Sequence, residues 1–441
     1  VTGTSCPTFE SPEINVQGNL IDIADGDAIP GPMDDHTDFG NIPVNGNFIR
    51  TFTIQNTSNE DLIVSSITSD NALFAVGALT PASPIPMNGS ATFAVTFSPV
   101  ATGLQTATIT IGNDDIVEAV YYFAGKGTGA IPDYTIATTG NAIVITDLSG
   151  NSDVLDVSEN GSNIRFVAIP TTRTYTINGG PVTAFTTPAN AALAGATSIT
   201  VYAEAGADII NFGGFTANLP SLTVNGGTGD DAVNFNGDIT FIANANLDVD
   251  VQNDDFAPGV DRVVIAANAN LVLSGTGTAT VNVSKDVVVN SGGSIETVNG
   301  NLTVESNQQG TPTAGDFLGV TVNGGLLRST GSGTVSVKGK GGNTGDNQYG
   351  VAVTNGGDII GGAGGQTIVE GTGGASTGFS NYGVFVTNTN SSITSLGGNV
   401  AVTGNGGGTN DSNTNPGVLV SDAGAITAGG SGAVTVIGNG G

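Results

Sequence analysis

Three aspartates stand at equivalent positions of a repeated phrase, and their carboxylates could bind a cation. Asp208, Asp231 and Asp261 each occupy the third position of the pattern G-x-D-x-[I/V]-x-[F/I]. The segment NGGTGDDAVNFNG at 225–237 also fits the nonapeptide G-G-x-G-x-D-x-U-x of calcium-binding β-rolls. Carboxylates stacked within about 5 Å of one another would repel, and a bound cation would relieve that repulsion. The pattern therefore makes calcium the one cofactor that the sequence suggests.

The same aspartates also have a purely structural interpretation. One nonapeptide is half of a β-roll site, because calcium takes roughly 6–8 oxygen ligands and stacked neighbours must supply the rest. Successive copies of the phrase are 23 residues or more apart, so consecutive nonapeptides are absent. In this second interpretation the aspartates lie outward in turns, where water and backbone amides satisfy them. Asn211 and Asn234 are matched in the same way, and we expect them to stack and hydrogen-bond to each other.

Residues that could support catalysis are scarce. The chain has one histidine, His36, with no candidate nucleophile beside it in the sequence, which argues against Ser–His–Asp chemistry. Parallel β-helices include polysaccharide lyases and hydrolases, which use a basic residue with calcium or clustered carboxylates. The repeats contain few basic residues, and among them only Lys338 and Lys340 cluster. We therefore predict that the protein is not an enzyme, and we assign no catalytic residue.

The balance of charge restricts the partners. With 9 Lys and Arg against 38 Asp and Glu, the formal net charge is −29. Such a chain cannot neutralise phosphates, so binding to nucleic acid or to an anionic lipid surface is not expected. The sequence has no run of about 18 apolar residues that could insert into and cross a membrane. Cys6 is the single cysteine and supports neither a disulfide framework nor a thiolate zinc site.

Residues 12–129 alternate apolar and polar side chains in short segments separated by turn residues. This spacing predicts an antiparallel β-sandwich of immunoglobulin type. Side chains two residues apart share one face of a strand. The core expected on these faces is Phe52, Ile54, Phe93, Val95 and Phe97. The predicted strands are 47–56, 62–67, 90–99, 104–112 and 119–129.

The same segment carries a family resemblance. In order along the chain it contains PEINVQG, HTDFGNIPV, RTFTIQNTS, FAVTFSP, ATITIGNDD and FAGKGTG. This series resembles the choice-of-anchor D modules of large bacterial surface proteins, which are related to Hydin-like and major-sperm-protein-like immunoglobulin domains. The resemblance covers residues 12–129 and implies an extracellular spacer or interaction module. It implies no catalytic residues.

The chain repeats itself from residue 198, after a less regular β-rich stretch at 130–197 that we interpret as a transitional region or cap. Residues 198–214 align with 221–237 at an offset of 23. A longer period follows, in which the phrase GVxV starts at 319, 350, 383 and 417. Each copy continues with an isolated apolar residue and then reaches the phrase V-x-G-x-G-G. The isolated apolar residues are Leu327, Ile360, Ile393 and Ile426.

Three short strands per 31–34 residues, with glycine at the corners, are typical of a right-handed parallel β-helix. Glycine is expected there because it adopts positive φ without steric cost. In that fold the first valines of the GVxV phrases stack about 4.8 Å apart. They are Val320, Val351, Val384 and Val418. We therefore predict an all-β chain with a linker at 1–11, the immunoglobulin-like β-sandwich, and a parallel β-helix over 198–441.

The position between the two valines of each GVxV phrase points outward and becomes more apolar along the repeats. It reads Thr321, Ala352, Phe385 and Leu419. Phe385 and Leu419 could contact another chain, or the long loop of each coil could fold over them. The last copy stops at Gly441, with its V-x-G-x-G-G phrase and before the long loop of the other copies, so we expect the natural chain to continue or a second subunit to cover this edge.

Together these features predict a structural and adhesive role. Choice-of-anchor D modules joined to Gly/Asn-rich repeats are similar to giant adhesins of Bacteroidota, which are exported by type IX secretion. This resemblance implies a rigid stalk, shell or fibre subunit of an extracellular appendage at the cell surface, used for attachment. The implied partners are further copies of the chain, the rest of a larger chain, and glycans, prey or substratum. Two further hypotheses are a calcium-dependent module that binds carbohydrate or a partner, and a polysaccharide-active β-helix enzyme.

Overall fold

The computed structural model describes residues 11–31, 35–252, 260–409 and 412–441. Cys6, most of the predicted linker and the insertion NDDFAP lie outside these ranges. Every regular element among the described residues is a β-strand, which confirms the predicted all-β class. The chain forms two compact units, Val1–Asp133 with Thr174–Ala184, and Tyr134–Arg173 with Phe185–Gly441.

Nine strands form two sheets in the first unit. They are β1 (Ile14–Gly18), β2 (Ile21–Ile23), β3 (Asp38–Pro43), β4 (Phe48–Asn56), β5 (Val64–Ser69), β6 (Phe74–Val76), β7 (Ser90–Phe97), β8 (Gly103–Asn113) and β9 (Val120–Ala130). One sheet has the order β2-β1-β4-β7-β6, and the other has the order β3-β9-β8-β5. The pairing of β3 with β9 is parallel, and the others in these sheets are antiparallel. All five strands predicted for this segment are present.

Alternate side chains of these strands lie between the two sheets and form one core. Phe52 on β4 is directly opposite Phe93 on β7, and their ring centroids are 5.5 Å apart. Phe123, on the other sheet, lies 5.0 Å from Phe52. Each large apolar side chain buried in this way contributes roughly 1.5–3 kcal/mol. The five predicted core residues are all buried, and the first unit is an immunoglobulin-like β domain.

The remaining strands are numbered onward along the chain. They are β10 (Tyr134–Thr139), β11 (Ala142–Asp147), β12 (Val154–Asn160), β13 (Asn163–Ile169), β14 (Thr174–Ile177), β15 (Thr183–Ala184), β16 (Ala189–Ala192), β17 (Ser198–Tyr202), β18 (Ile209–Phe212), β19 (Ser221–Asn225), β20 (Ala232–Phe235), β21 (Ile239–Thr240), β22 (Leu247–Val251), β23 (Arg262–Ile265), β24 (Asn270–Val272), β25 (Ala279–Val283), β26 (Asp286–Val289), β27 (Ser294–Thr297), β28 (Leu302–Ser306), β29 (Val320–Asn323), β30 (Leu326–Ser329), β31 (Val335–Lys340), β32 (Val351–Thr354), β33 (Asp358–Gly361), β34 (Thr367–Thr372), β35 (Val384–Val386), β36 (Ser392–Ser395), β37 (Val400–Asn405), β38 (Val418–Val420), β39 (Ala425–Ile426) and β40 (Val434–Asn439). The hairpin of β14 and β15 groups with the first unit.

Three sheets run through the second unit, and successive repeats add one strand to each. The first has the order β10-β11-β17-β19-β22-β25-β28-β31-β34-β37-β40, and the second β16-β13-β12-β18-β20-β23-β26-β29-β32-β35-β38. The third has the order β21-β24-β27-β30-β33-β36-β39. Antiparallel pairs occur at the start, where β10 meets β11 and β13 meets β12 and β16. The later neighbours pair in parallel.

Equivalent apolar residues stack in columns along these sheets. The first valines of the GVxV phrases pair in register, from Val320 to Val351, Val384 and Val418, as the repeats predict. The assignment of Ile360 as the apolar residue of its copy needs a correction, because Ile359 stacks between Leu327 and Ile393. Ile359 is fully buried, whereas Ile360 is half-buried and lies in register with Arg328 and Thr394. Two adjacent isoleucines fit the sequence pattern equally, and the register selects the inward one.

Glycine adopts positive φ at several turns of the second unit, as predicted. The glycines of the V-x-G-x-G-G phrases are required for a different reason. None of the described glycines in these phrases has positive φ. A Cβ at Gly371 would instead overlap the carbonyl oxygen of Gly383, and a Cβ at Gly404 would overlap that of Gly417. Asparagine also adopts positive φ at several of these turns, as at Asn355. Glycine therefore occupies these positions because another stretch of backbone lies against it.

Candidate functional site

The strand register places the three repeated aspartates above one another. Asp208 and Asp231 immediately precede β18 and β20, and Asp261 immediately precedes β23. These strands pair in parallel with the residues that follow the aspartates in register, Ile209 with Ala232 and Ala232 with Arg262. The predicted alignment of the three residues is therefore present in the structure.

Each aspartate links its repeat to the repeat before it. The amide of Asp208 donates to Oδ1 of Asp231 at 2.9 Å, and the amide of Asp231 donates to Oδ1 of Asp261 at 2.6 Å. The residues are only 4%, 2% and 1% exposed in chain order. The structural interpretation was right about the backbone amides and wrong about the environment, because the side chains are buried rather than solvated. We call this row the aspartate ladder.

The ladder extends by one residue at each end beyond what the sequence analysis identified. The amide of Asp153 donates to Oδ1 of Asp208 at 2.8 Å. At the other end the amide of Asp261 donates to the hydroxyl of Ser284 at 3.1 Å, and that hydroxyl donates to Oδ2 of Asp261 at 2.6 Å. The segment NSDVLDV at 151–157 repeats the spacing D-x-apolar-x-apolar and could have revealed Asp153. Ser284 has no comparable signal.

The aspartate ladder does not fit a calcium shell. Calcium takes roughly 6–8 oxygen ligands that converge on one point. Here each Oδ1 already accepts a backbone amide, so the carboxylates face successive amides along the sheet instead of a common centre. Across the part of the chain that the structure describes, no three His, Cys, Asp or Glu residues are grouped to hold a metal ion. The carboxylate oxygens therefore act as hydrogen-bond acceptors for backbone amides of neighbouring strands.

The matched asparagines form a second row beside the ladder. The side-chain amide of Asn234 donates to Oδ1 of Asn211 at 2.9 Å, and that of Asn211 donates to Oδ1 of Asp156 at 2.9 Å. The predicted stacking of the two asparagines is therefore confirmed. Such a row satisfies polar side chains on the sheet surface and holds neighbouring strands in register.

Three basic side chains of the repeats form ion pairs with carboxylates of neighbouring repeats. Arg262 contacts Asp286 at 3.3 Å, and Lys338 contacts Glu370 at 3.7 Å. Arg328 donates through Nε to Glu296 at 2.9 Å. These pairs lie on adjacent parallel strands, where opposite charges in register stabilise the sheet by a few tenths of a kcal/mol each. In the first unit, Nδ1 of His36 lies 3.1 Å from the carbonyl oxygen of Thr51.

The two apolar residues proposed for a subunit contact are both half-buried. Phe385 and Leu419 are in register on β35 and β38. The ring of Phe385 lies 4.9 Å from that of Tyr349 and 5.3 Å from that of Tyr382. The two tyrosines stack on each other at 4.9 Å with their planes 7° apart. The two tyrosines were not among the predicted residues, although both stand in the repeated phrase Y-G-V. We call the three rings the aromatic cluster.

Comparison with known proteins places a family match in the first unit. Residues 33–126 match a family described as Protein of unknown function (DUF1573). No curated protein matches the chain. Within the described ranges there is no helix long and apolar enough to span a membrane.

Among solved structures, three have segments similar to this chain. The PapD-like domain 7 of human CEP192 is 12% identical, with 30% of this chain and 96% of that chain covered and a TM-score of 0.21. WR4, a member of the C. elegans MSP family, is 16% identical, with 21% and 93% covered and a TM-score of 0.16. A family 123 glycoside hydrolase from Clostridium perfringens is 11% identical, with 23% and 25% covered and a TM-score of 0.16.

Proposed function

We propose that the chain is a structural and adhesive segment of a large, exported bacterial surface protein. The observation that carries the proposal is the uninterrupted run of parallel pairing from β11 to β40 in the second unit. Strands inside such a run have their backbone groups bonded on both sides, which opposes local opening. Resistance to local opening is the property that a stalk, shell or fibre subunit needs, because such a subunit must stay folded under mechanical force.

In this proposal the second unit is a right-handed parallel β-helix. Its support is the set of three sheets that take one strand in turn from each repeat, together with the buried columns of valine and isoleucine. The right hand follows from the general preference of connections between parallel strands in one sheet. The aspartate ladder and the asparagine row would then keep adjacent coils in register.

The first unit would serve as a spacer or interaction module of the same protein. The support is the ordered series of phrases that resembles choice-of-anchor D modules. The proposed location is the cell surface of a bacterium that uses type IX secretion. The proposed partners are further copies of the chain or the rest of a larger chain, and the proposed attachment targets are glycans, prey or substratum.

Force spectroscopy on the full chain, held by handles at its two ends, tests the mechanical part of the proposal. We expect several separate unfolding steps at high force from the second unit, because each repeat contacts only its neighbours. A single transition at low force would contradict a load-bearing role.

Two further measurements test location and chemistry. Antibodies against the chain should label intact cells of the source bacterium, and labelling only after lysis would overturn the surface location. Purified chain should release no reducing sugar from acidic polysaccharides. Measurable release would replace the structural proposal by that of a polysaccharide-active enzyme.

A further inference from the structure

A small cavity near the start of the second unit is lined by three buried carboxylates. Asp147 is the last residue of β11, and Asp153 immediately precedes β12. Asp208 is the first of the three repeated aspartates in the ladder. Their exposed fractions are 1%, 3% and 4%. The cavity holds about 10 Å³, close to the smallest space that admits one water molecule. Bulk water therefore does not solvate these charges.

The three carboxylates differ in how well they are paired. Asp153 accepts Nε of Arg173 at 2.8 Å on Oδ1 and the hydroxyl of Tyr134 at 3.1 Å on Oδ2. Asp208 accepts the amide of Asp153 on Oδ1, but its Oδ2 is buried without a hydrogen-bond partner. Oδ2 of Asp147 is in the same condition. Arg173 is the one basic side chain that the structure describes in this cluster, so the carboxylates share a single opposite charge.

Ionising all three carboxylates would be costly here, because three buried negative charges would share the single positive charge of Arg173. Burial is the main cause that raises the pKa of Asp208 to about 7. The amide of Asp153 and the guanidinium of Arg173 lower that pKa, while the charges of Asp147 and Asp153 raise it. Burial also raises the pKa of Asp147, with a smaller contribution from the charge of Asp153, while hydrogen bonds from Ser149 and Tyr134 lower that pKa. A proton on Asp208 removes one of the negative charges that share Arg173.

We propose that Asp208 holds a proton on Oδ2 in the folded protein, and that loss of this proton as the pH rises destabilises the start of the second unit. The support is the burial of the three carboxylates around one guanidinium and the buried Oδ2 of Asp208, which has no hydrogen-bond partner among the described protein groups. The proposal adds a pH-sensitive element to the fold and does not depend on the proposed mechanical function. The titratable and charged groups that face Asp208 are Tyr134 of β10, Asp147, Asp153, Arg173, Tyr202 of β17 and Asp231.

The sign of the pH dependence follows from proton linkage. An aspartate in an unfolded chain has a pKa of about 3.9, whereas that of Asp208 is raised to about 7 in the folded chain. Between these values the folded state binds one more proton than the unfolded state, so raising the pH favours unfolding. This contribution to stability is therefore complete at about pH 4 and below, declines up to about pH 7, and is absent above it.

Calorimetric unfolding of the full chain between pH 5 and pH 8 tests the proposal with Asp208→Asn. The asparagine keeps an oxygen for the amide of Asp153 but carries no ionisable group. We expect the Tm of the variant to change less with pH and to exceed that of the wild type by roughly 2–6 °C at pH 8. The matched control is Asp230→Asn, which removes the same charge from an exposed aspartate whose Oδ1 accepts the amide of Val260 at 2.8 Å.

The control should follow the wild-type pH profile, and an Asp208→Asn profile parallel to both would overturn the proposal. Infrared spectroscopy of the wild type provides a second test, which does not depend on whether the variant folds. We expect the carbonyl band of a protonated carboxylic acid at pH 5.5 to disappear with a midpoint near pH 7, the raised pKa of Asp208. Absence of such a band at pH 5.5 and above would equally overturn the proposal.

Discussion

At the scale of single residues, the aspartate ladder stabilises the second unit by supplying acceptors to backbone amides. Oδ1 of Asp231 accepts the amide of Asp208 at 2.9 Å, while the amide of Asp231 donates to Asp261. Asp231 is 2% exposed, so water cannot take the place of a lost acceptor. We infer that this position requires an acceptor oxygen for the amide of Asp208.

We therefore expect Asp231→Ala and Asp231→Asn to differ. The alanine variant leaves the amide of Asp208 buried and unsatisfied, which should lower the free energy of unfolding by about 1–3 kcal/mol. The asparagine variant keeps an oxygen acceptor and should retain most of that stability. Urea denaturation of both variants and of the wild type, with calcium and with EDTA, makes the comparison.

We expect EDTA to leave all three denaturation curves unchanged. A wild type that loses stability on chelation, with the asparagine variant as unstable as the alanine variant, would restore the calcium hypothesis for Asp208, Asp231 and Asp261. The two interpretations are thus separated by one pair of substitutions and one chelator.

Sequence reasoning could locate the ladder but not its environment. The spacing of Asp208, Asp231 and Asp261 shows that they are equivalent, because the phrase around them repeats. Their burial follows from the backbone amide to which each carboxylate is hydrogen-bonded. The pairing of strands 23 or 30 residues apart decides which amide that is. The buried Oδ2 atoms of Asp147 and Asp208, which lack a hydrogen-bond partner, could not be predicted from the repeat pattern. Asp208 lies inside the repeats, whereas Asp147 lies before them.

At the scale of elements, close backbone approach decides where glycine is required. Gly371 lies in β34 and its missing side chain leaves room for the carbonyl of Gly383, which precedes β35. A Cβ at this position cannot be accommodated by a rotamer change, because the obstructing atoms belong to backbone. Two strands of different sheets would have to separate.

We expect Gly371→Ala to lower the free energy of unfolding by roughly 2–4 kcal/mol through this backbone shift. Gly364→Ala is the matched control, because its Cβ would meet Ser332 at an ordinary 3.5 Å and its φ is not positive. The control should be neutral or slightly stabilising, since alanine reduces the entropy of the unfolded chain. Thermal and urea denaturation of both variants provide the test, and equal effects of the two substitutions would refute the close-approach argument.

The elements themselves were predictable where the pattern is periodic. The strands around Phe52 and Phe93 alternate strictly, and the GVxV phrases repeat, so strand positions and the Val320 column follow from spacing alone. The choice between Ile359 and Ile360 could not be made, because both are apolar and only register distinguishes them. The grouping of the β14–β15 hairpin with the first unit was equally out of reach, since it depends on contacts distant in sequence.

At the scale of the whole molecule, charge opposes association between copies. A net charge of −29 makes the chains repel, and salt confines that repulsion to about 8–10 Å. Self-association would therefore have to rest on short-range apolar contacts. Phe385 and Leu419 are the residues proposed for that contact, and they are neighbours in register on the second sheet of the second unit.

The double variant Phe385→Ser/Leu419→Ser tests this contact by the mass of the full chain in multi-angle light scattering. We expect a defined wild-type oligomer that is unchanged by EDTA, and a monomeric variant, because serine removes the apolar surface that would be buried between copies. The control is Thr321→Ser, which lies in the same column as Phe385, two repeats earlier, and replaces one polar side chain by another. This variant should have the same oligomer mass as the wild type. Circular dichroism must show that the double variant is folded, since Phe385 also packs 4.9 Å from Tyr349. A monomeric wild type, or a folded double variant with the wild-type mass, would rule out these residues as a contact between subunits.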